Sequence, residues 1–145
     1  MDVTPRLSAL CSVYDAERFM AAWIEDMLAS TIAEVTQLVV VDSGSPGREG
    51  EIVAEYKARG VAIDYLRTEE RETPAAAVNR AVGLARAPYL TLANVDDRHR
   101  PDALELLCAE LDRRPEVALV YADCAVTECE NEDPVTTLRT VDYLT

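Results

Sequence analysis

The chain has 145 residues, 49% of them hydrophobic, with 5 Gly and 7 Pro, which suits one core of ordinary size and excludes a disordered or fibrous class. Its 27 acidic against 14 basic residues leave a formal net charge of -13, which argues against nucleic acid as a partner, because a phosphate backbone needs clustered Lys and Arg. Cys11, Cys108, Cys124 and Cys129 show neither a CxxC pair nor histidine spacing, so they read as free buried thiols rather than a zinc site. No basic flank leads an apolar core at the N-terminus, and no apolar run approaches the roughly 20 residues that span a bilayer. A soluble protein is expected, in the cytoplasm or peripheral at a membrane.

Residues 6–13 (RLSALCSV) form an apolar run that predicts a first strand, followed by Asp15 as N-cap of a helix over 16–30. In that helix Phe19, Met20, Trp23, Ile24, Met27 and Leu28 recur at three- and four-residue spacing, so Trp23 is expected in the core. Residues 36–41 (TQLVVV) read as a strand buried on both faces of a parallel sheet, ending in Asp42. Ser45 as cap and Pro46 at the first helical position predict a helix to about 59, stopped by Gly60. A third strand is expected over 61–67 and a charged loop over 68–72, then a helix over 75–86 capped by Thr73, with Pro74 in its first position. The apolar stripe of that helix is Val78, Ala81, Val82 and Ala85.

Pro88 begins a short strand that reads as buried and runs into Asn94-Val95-Asp96-Asp97. A helix over 101–113, with Leu104, Leu107, Cys108 and Leu111 inward, and a fifth strand over 117–122 complete the pattern. Beyond lie a polar acidic run at 128–134 and a short tail at 135–145. Strands alternating with helices in this way predict an α/β fold, a Rossmann-like doubly wound, mostly parallel sheet with right-handed crossovers. Ligands of such sheets bind at the carboxyl ends of the strands, where this chain places its acids.

The alternative readings of those acids are local. Asp96 and Asp97 can serve as cap and favourable charge at a helix N-terminus, and Asp42 can hold its own turn. His99 reads as a solvated loop residue. A receiver-type phosphoacceptor domain would want a lysine near the end of the fifth strand, whereas the single lysine is Lys57. A dinucleotide oxidoreductase would want GxGxxG after the first strand, and residues 12–15 contain no glycine.

Two separated segments carry a resemblance in matching order and spacing. Val39-Val40-Val41-Asp42-Ser43-Gly44-Ser45 resembles the second-strand signature of the inverting glycosyltransferases of family 2, which have the GT-A fold. Asn94-Val95-Asp96-Asp97, followed by Pro101 and a Leu-rich helix, resembles that family's DxD region. Ser12-Val13-Tyr14-Asp15 is similar to the end of its first strand, usually Pro-Thr-Tyr-Asn, and residues 77–79 to its Ala-Arg-Asn helix. Three positions depart from the pattern: Asn94 stands at the first DxD acid, Thr73 at a usual glycine and Val78 at a frequent arginine.

The resemblance implies a glycosyltransferase that takes a nucleotide-diphosphate sugar, UDP-, GDP- or dTDP-linked, transfers the sugar with inversion to a glycan, lipid or protein acceptor, and depends on Mn²⁺ or Mg²⁺. It implies donor contacts from Ser12, Val13, Tyr14, Asp42, Ser43, Asn94 and Asp96, with metal contacts from Asp96 and Asp97. Arg71 or Arg80 could compensate for the family arginine that Val78 replaces. The family's general base comes from the half of the domain after the fifth strand, and Glu128, Glu130 and Asp133 cannot be promoted to that role from sequence. Residues 1–127 are therefore expected to form the nucleotide-sugar-binding part of a GT-A-like domain, and 128–145 an acidic loop and tail. The alternative is a non-catalytic or truncated nucleotide-sugar-binding module lacking the base.

Overall fold

A computed structural model describes residues 4–129 and 132–140. The chain divides into two compact units, 1–105 and 106–145. In the first, β1 (Leu7–Val13), α1 (Glu17–Leu28), β2 (Thr36–Asp42), α2 (Glu49–Ala58), β3 (Ile63–Arg67), α3 (Pro74–Leu84) and β4 (Tyr89–Leu92) alternate, and α4 (Ala103–Arg113) carries the boundary. The four strands form one parallel sheet in the order β3-β2-β1-β4. Every crossover is therefore a strand-helix-strand unit, and the doubly wound reading holds.

The direction of winding reverses once. From β1 the chain steps to β2 and then β3 on one side, and after α3 it returns to place β4 on the other side of β1. Because such crossovers are right-handed, the reversal puts α3 on the sheet face opposite α1 and α2. Alternation along the strands matches this: Leu10, Val39 and Val41 pack under Ala77 and Ala81 of α3, while Ala9, Cys11 and Val40 face the other way and are equally buried. On that second side Met20, Trp23, Ile24 and Met27 are enclosed, and the Trp23 indole N–H donates to the Ala93 carbonyl at 3.0 Å. Trp23 thus satisfies its polar atom while fixing the exit of β4.

Several boundaries differ from expectation, each for a physical reason. Ala16, not Asp15, occupies the cap of α1, without a side-chain cap, because Asp15 turns into the left-handed region at φ 52°. The second helix starts at Glu49, and Ser45 is not its cap, since the Ser45 hydroxyl, the group that would cap, accepts instead from the Asp15 N–H at 3.2 Å. Thr73 does cap α3, accepting from the Ala76 N–H at 3.2 Å, with Pro74 first in the helix. The buried stripe of α3 is Ala77 and Ala81, whereas Val82 is exposed; the smallest side chains face the sheet, which lets the helix sit close.

The expectation of a buried fourth strand is corrected too. Among the described residues β4 is an edge strand, and Leu92 is 60% exposed. The apolar run 117–122 is not a strand: it finds no ladder partner among the described residues and leaves Leu119 73% exposed, and an apolar sequence becomes a strand only where a neighbour completes its hydrogen bonds. In the second unit the strands are β5 (Cys124–Val126) and β6 (Thr136–Leu138), paired antiparallel. Asp123 closes that hairpin by accepting from the Thr140 N–H at 2.9 Å and its hydroxyl at 3.0 Å. All four thiols are free as expected, but only Cys11 and Cys108 are buried, whereas Cys124 and Cys129 are exposed. Glu130 and residues 141–145, part of the expected acidic loop and tail, lie outside the described residues.

Replacing Trp23 by Phe removes the indole N–H and leaves a buried carbonyl unpaired, so the variant should lose about 1–3 kcal/mol of unfolding free energy. Urea denaturation followed by far-ultraviolet circular dichroism measures this, because Trp23 is the only tryptophan; equal stability would show that the bond holds nothing.

Candidate functional site

The carboxyl edge of β2, β1 and β4 gathers most of the residues singled out in the sequence. Val13, the last residue of β1, lies in register with Asp42, the last of β2. On the other flank β4 ends at Leu92, opposite Leu10, and the Ala93 N–H continues the ladder to the Leu10 carbonyl at 2.9 Å. Asn94 to Asp97 therefore leave the sheet beside the last turns of β1. The Cys11 thiol registers that proximity: burial, and then the Asp96 charge, push its pKa up.

Asp42 is fully buried. Its Oδ1 accepts from the Ser45 N–H at 2.7 Å, and its Oδ2 accepts from the Tyr65 hydroxyl at 2.5 Å and the Arg67 guanidinium at 2.7 Å. Burial alone would raise the pKa of this carboxyl group, but the bonds from Tyr65 and Ser45 and the charge of Arg67 outweigh it and hold the pKa below the ordinary value. The same contacts raise Tyr65, chiefly through burial and then through its bond to Asp42, to about 12. Arg67 also donates to the Ser45 carbonyl at 2.7 Å. Gly44 completes the turn at φ 67°, and a Cβ there would lie 3.3 Å from the Glu69 carbonyl, so this position suits only glycine.

The sequence-derived residues thus divide by access. Val13, Asp42 and Ser43 are buried, Ser12 is half-buried, and Tyr14, Asn94, Asp96 and Asp97 are exposed. Asn94 donates from Nδ2 to the Asp97 carboxylate at 2.8 Å, whereas Asp96 makes no hydrogen bond or ion pair among the described residues. Arg71 stacks its guanidinium on the Tyr14 ring, 3.9 Å from the centroid, and has no carboxylate partner among the described residues. Arg80 is committed elsewhere, to a two-pronged pair with Glu72 at 2.6–3.0 Å. His99 is partly buried rather than a solvated loop residue, and its Nδ1 lies 3.3 Å from the Asp26 carboxylate.

Tyr65 and Arg67 escaped the sequence reading. Their signal was the alternation of IDYLR, which sends Tyr65 and Arg67 to the face that Asp42 uses once the parallel register is known. A cleft of about 330 Å³ lies at the opposite, amino edge of the strands, lined by Glu34, Lys57, Asp64 and Arg86 among others. Its cationic Arg86 is paired with Asp64 at 3.0 Å. Asn94 to Asp97 are remote from it along the strands.

An open parallel sheet that reverses its winding between β1 and β4, with acids, an aromatic ring and an arginine at the carboxyl edge of those strands, is a doubly wound α/β domain of the GT-A type, with a crevice at its switch point. The sequence model of Glycosyl transferase family 2 matches residues 8–137, and the chain belongs to that family. It is 24% identical over 119 residues to the uncharacterised glycosyltransferase MJ1057 of Methanocaldococcus jannaschii, covering 81% of this chain and 41% of that protein. It is 28% identical over 145 residues to an uncharacterised glycosyltransferase of Haemophilus influenzae, covering 97% of this chain and 56% of the relative. Among solved structures, S. aureus TarS 1-349 in complex with UDP-GlcNAc superposes with a TM-score of 0.70 at 19% identity, over 76% of this chain and 32% of that one. A Pyrobaculum calidifontis mannosyltransferase in complex with GDP-Man and Mn2+ gives 0.69 at 20% identity, over 74% and 32%. The chain thus spans less than two thirds of the length of each.

The Asp42 pKa is lowered on folding, so its contribution to stability is full above the unfolded value near pH 4 and is lost as pH falls through the folded value. Asp42→Asn should therefore be less stable than the parent at pH 7 and show a flatter loss of stability below about pH 4. Chemical denaturation across pH 2–7 tests this, and superimposable curves would contradict it.

Proposed function

We propose that this chain binds the nucleotide-diphosphate part of a sugar donor at the carboxyl edge of β1 and β4, and that the whole protein transfers the sugar to an acceptor. The carrying observation is the coincidence of the topological switch point between β1 and β4 with Asp96, exposed and without a hydrogen bond or ion pair among the described residues, and with the Tyr14–Arg71 stack. Tyr14 offers an apolar face to a base or ribose, and Arg71, with no carboxylate partner among the described residues, offers its charge to an anion. The backbone of Ser12 to Tyr14 and Ser43 lines the donor, and Asn94 offers its carbonyl oxygen. Asp42 takes a ribose hydroxyl or base N–H on Oδ2 in exchange for the Arg67 guanidinium, a half-exposed group that gives up its bonds to Asp42 and to the Ser45 carbonyl to reach phosphate.

A divalent cation fits Asp96 and Asp97 under one condition. No group of three or more His, Cys, Asp or Glu side chains converges among the described residues, so the site can hold Mn²⁺ or Mg²⁺ only with oxygens lent by the diphosphate, the arrangement usual for such ions on phosphate substrates. Asp96 and Asp97 would hold the cation, which would supply positive charge against the leaving diphosphate. Transfer by the family's direct displacement inverts the anomeric carbon. That TarS was solved with UDP-GlcNAc and the archaeal enzyme with GDP-Man and Mn2+ supports a nucleotide-sugar donor without choosing between them. Among the described residues no helix is long and apolar enough to cross a membrane; we place the protein in the cytoplasm or at a membrane periphery, where nucleotide sugars are met.

Calorimetry with UDP, GDP and dTDP, each with and without Mn²⁺, should find one that binds, more tightly with the cation. Asp96→Ala should abolish the Mn²⁺ enhancement, and Arg71→Ala should weaken binding about tenfold, or roughly 1.4 kcal/mol. Absence of binding to all three would reject the donor site, and unchanged Mn²⁺ dependence in Asp96→Ala would move the cation elsewhere.

A further inference from the structure

Glu49 stands in the first turn of α2 and is 0% exposed. Its Oε1 accepts from the Ala16 N–H at 2.6 Å, across 33 residues of chain. Its Oε2 is buried without a partner among the described residues. A buried carboxyl group with one oxygen unmet is costly, and a Ser or Asp at the cap position would have satisfied a helix end more cheaply. What the longer side chain does is reach from α2 to the turn between β1 and α1.

That turn is the strained part of the fold. Asp15, at φ 52°, is the only non-glycine residue with positive φ among the described residues, in a region that L-residues enter at a cost. Two bonds flank the strain, Asp15 N–H to the Ser45 hydroxyl at 3.2 Å and Ala16 N–H to Glu49. The space is prepared on the other side as well. A Cβ on Gly47 would lie 2.7 Å from Glu17 Oε2 and 2.9 Å from Glu49 Oε2, so both carboxyl groups close on the bare backbone of Gly47. Glu17 in turn accepts from the Arg48 N–H at 2.8 Å. The N-termini of α1 and α2 are thereby tied to each other through two glutamates.

We propose that Glu49 is a positioning residue for the nucleotide: by holding the Ala16 amide it fixes the left-handed turn at Asp15, and with it the direction of Tyr14 and the backbone of Ser12 and Val13, without touching the ligand. The proposal rests on the donor-site reading above for its functional half, and on the turn geometry for its structural half. Gln at position 49 keeps an oxygen of the same reach, whereas Asp keeps the charge and withdraws it by one methylene. Reach and charge therefore separate.

The test uses the full chain with UDP, GDP and dTDP in the presence of Mn²⁺, and amide hydrogen exchange at Tyr14 and Ala16. Glu49→Gln should bind within about threefold of the parent and keep the Ala16 amide protected, while Glu49→Asp and Glu49→Ala should weaken binding about tenfold or more and expose it. Should Glu49→Ala fail to fold, the contrast between Glu49→Gln and Glu49→Asp carries the decision. Parent-like affinity and protection in Glu49→Asp, or a loss in Glu49→Gln as large as in Glu49→Asp, would overturn the proposal. If the parent binds none of the three, the donor-site reading falls, and the exchange pattern alone still decides whether Glu49 holds the turn.

Discussion

The buried carboxylate of Asp42 is the constraint on which the working edge of this domain depends. A charge removed from water is unfavourable unless donors surround it, and here Ser45, Tyr65 and Arg67 supply them. Satisfying one side chain therefore determines three things at once: the tight turn after β2, the outward course of β3, and the place of a half-exposed guanidinium at the rim. The next loop is built on that turn, because the Ser45 hydroxyl receives the Asp15 amide and the Ser43 amide reaches the Val13 carbonyl at 2.9 Å.

Function follows from where this polar frame stands in the winding. With the order β3-β2-β1-β4, the connections diverge to opposite faces on either side of β1 and β4, and a crevice opens at their carboxyl ends. Asp42 and its partners form one wall, packed and closed, and Asn94, Asp96 and Asp97 form the other, exposed around the buried Val95. Rigid support on one side and exposed acids on the other suit the donor site proposed above. The amino edge lacks that asymmetry, since its Arg86 already has Asp64.

Much of this was legible from local pattern. The runs that became β1 and β2 are continuous and apolar because both faces of a parallel strand are covered, and Trp23 announced its burial by helical spacing. Thr73 and Pro74 marked a helix start by chemistry that acts within four residues. What stayed hidden were interactions between segments distant along the chain. Asp15 looked like a cap because nothing nearby says that Glu49, from another helix, reaches its neighbour's amide. Ser45 looked like a cap for the same reason, its groups being claimed by Asp42 and Asp15. The run at 117–122 carries strand composition, but pairing is decided by a neighbouring strand and not by composition. Tyr65 and Arg67 acquired meaning only once parallel register set them beside Asp42.

The most direct test is a crystal structure of the protein grown with Mn²⁺ and the nucleoside diphosphate that binds best, with the metal located by its anomalous signal. The account predicts a peak at roughly coordination distance, about 2 Å, from a carboxylate oxygen of Asp96, with the base or ribose against Tyr14 and the diphosphate within reach of Arg71. Nucleotide density at the amino edge beside Lys57 and Arg86, or a metal peak remote from Asp96 and Asp97, would contradict it.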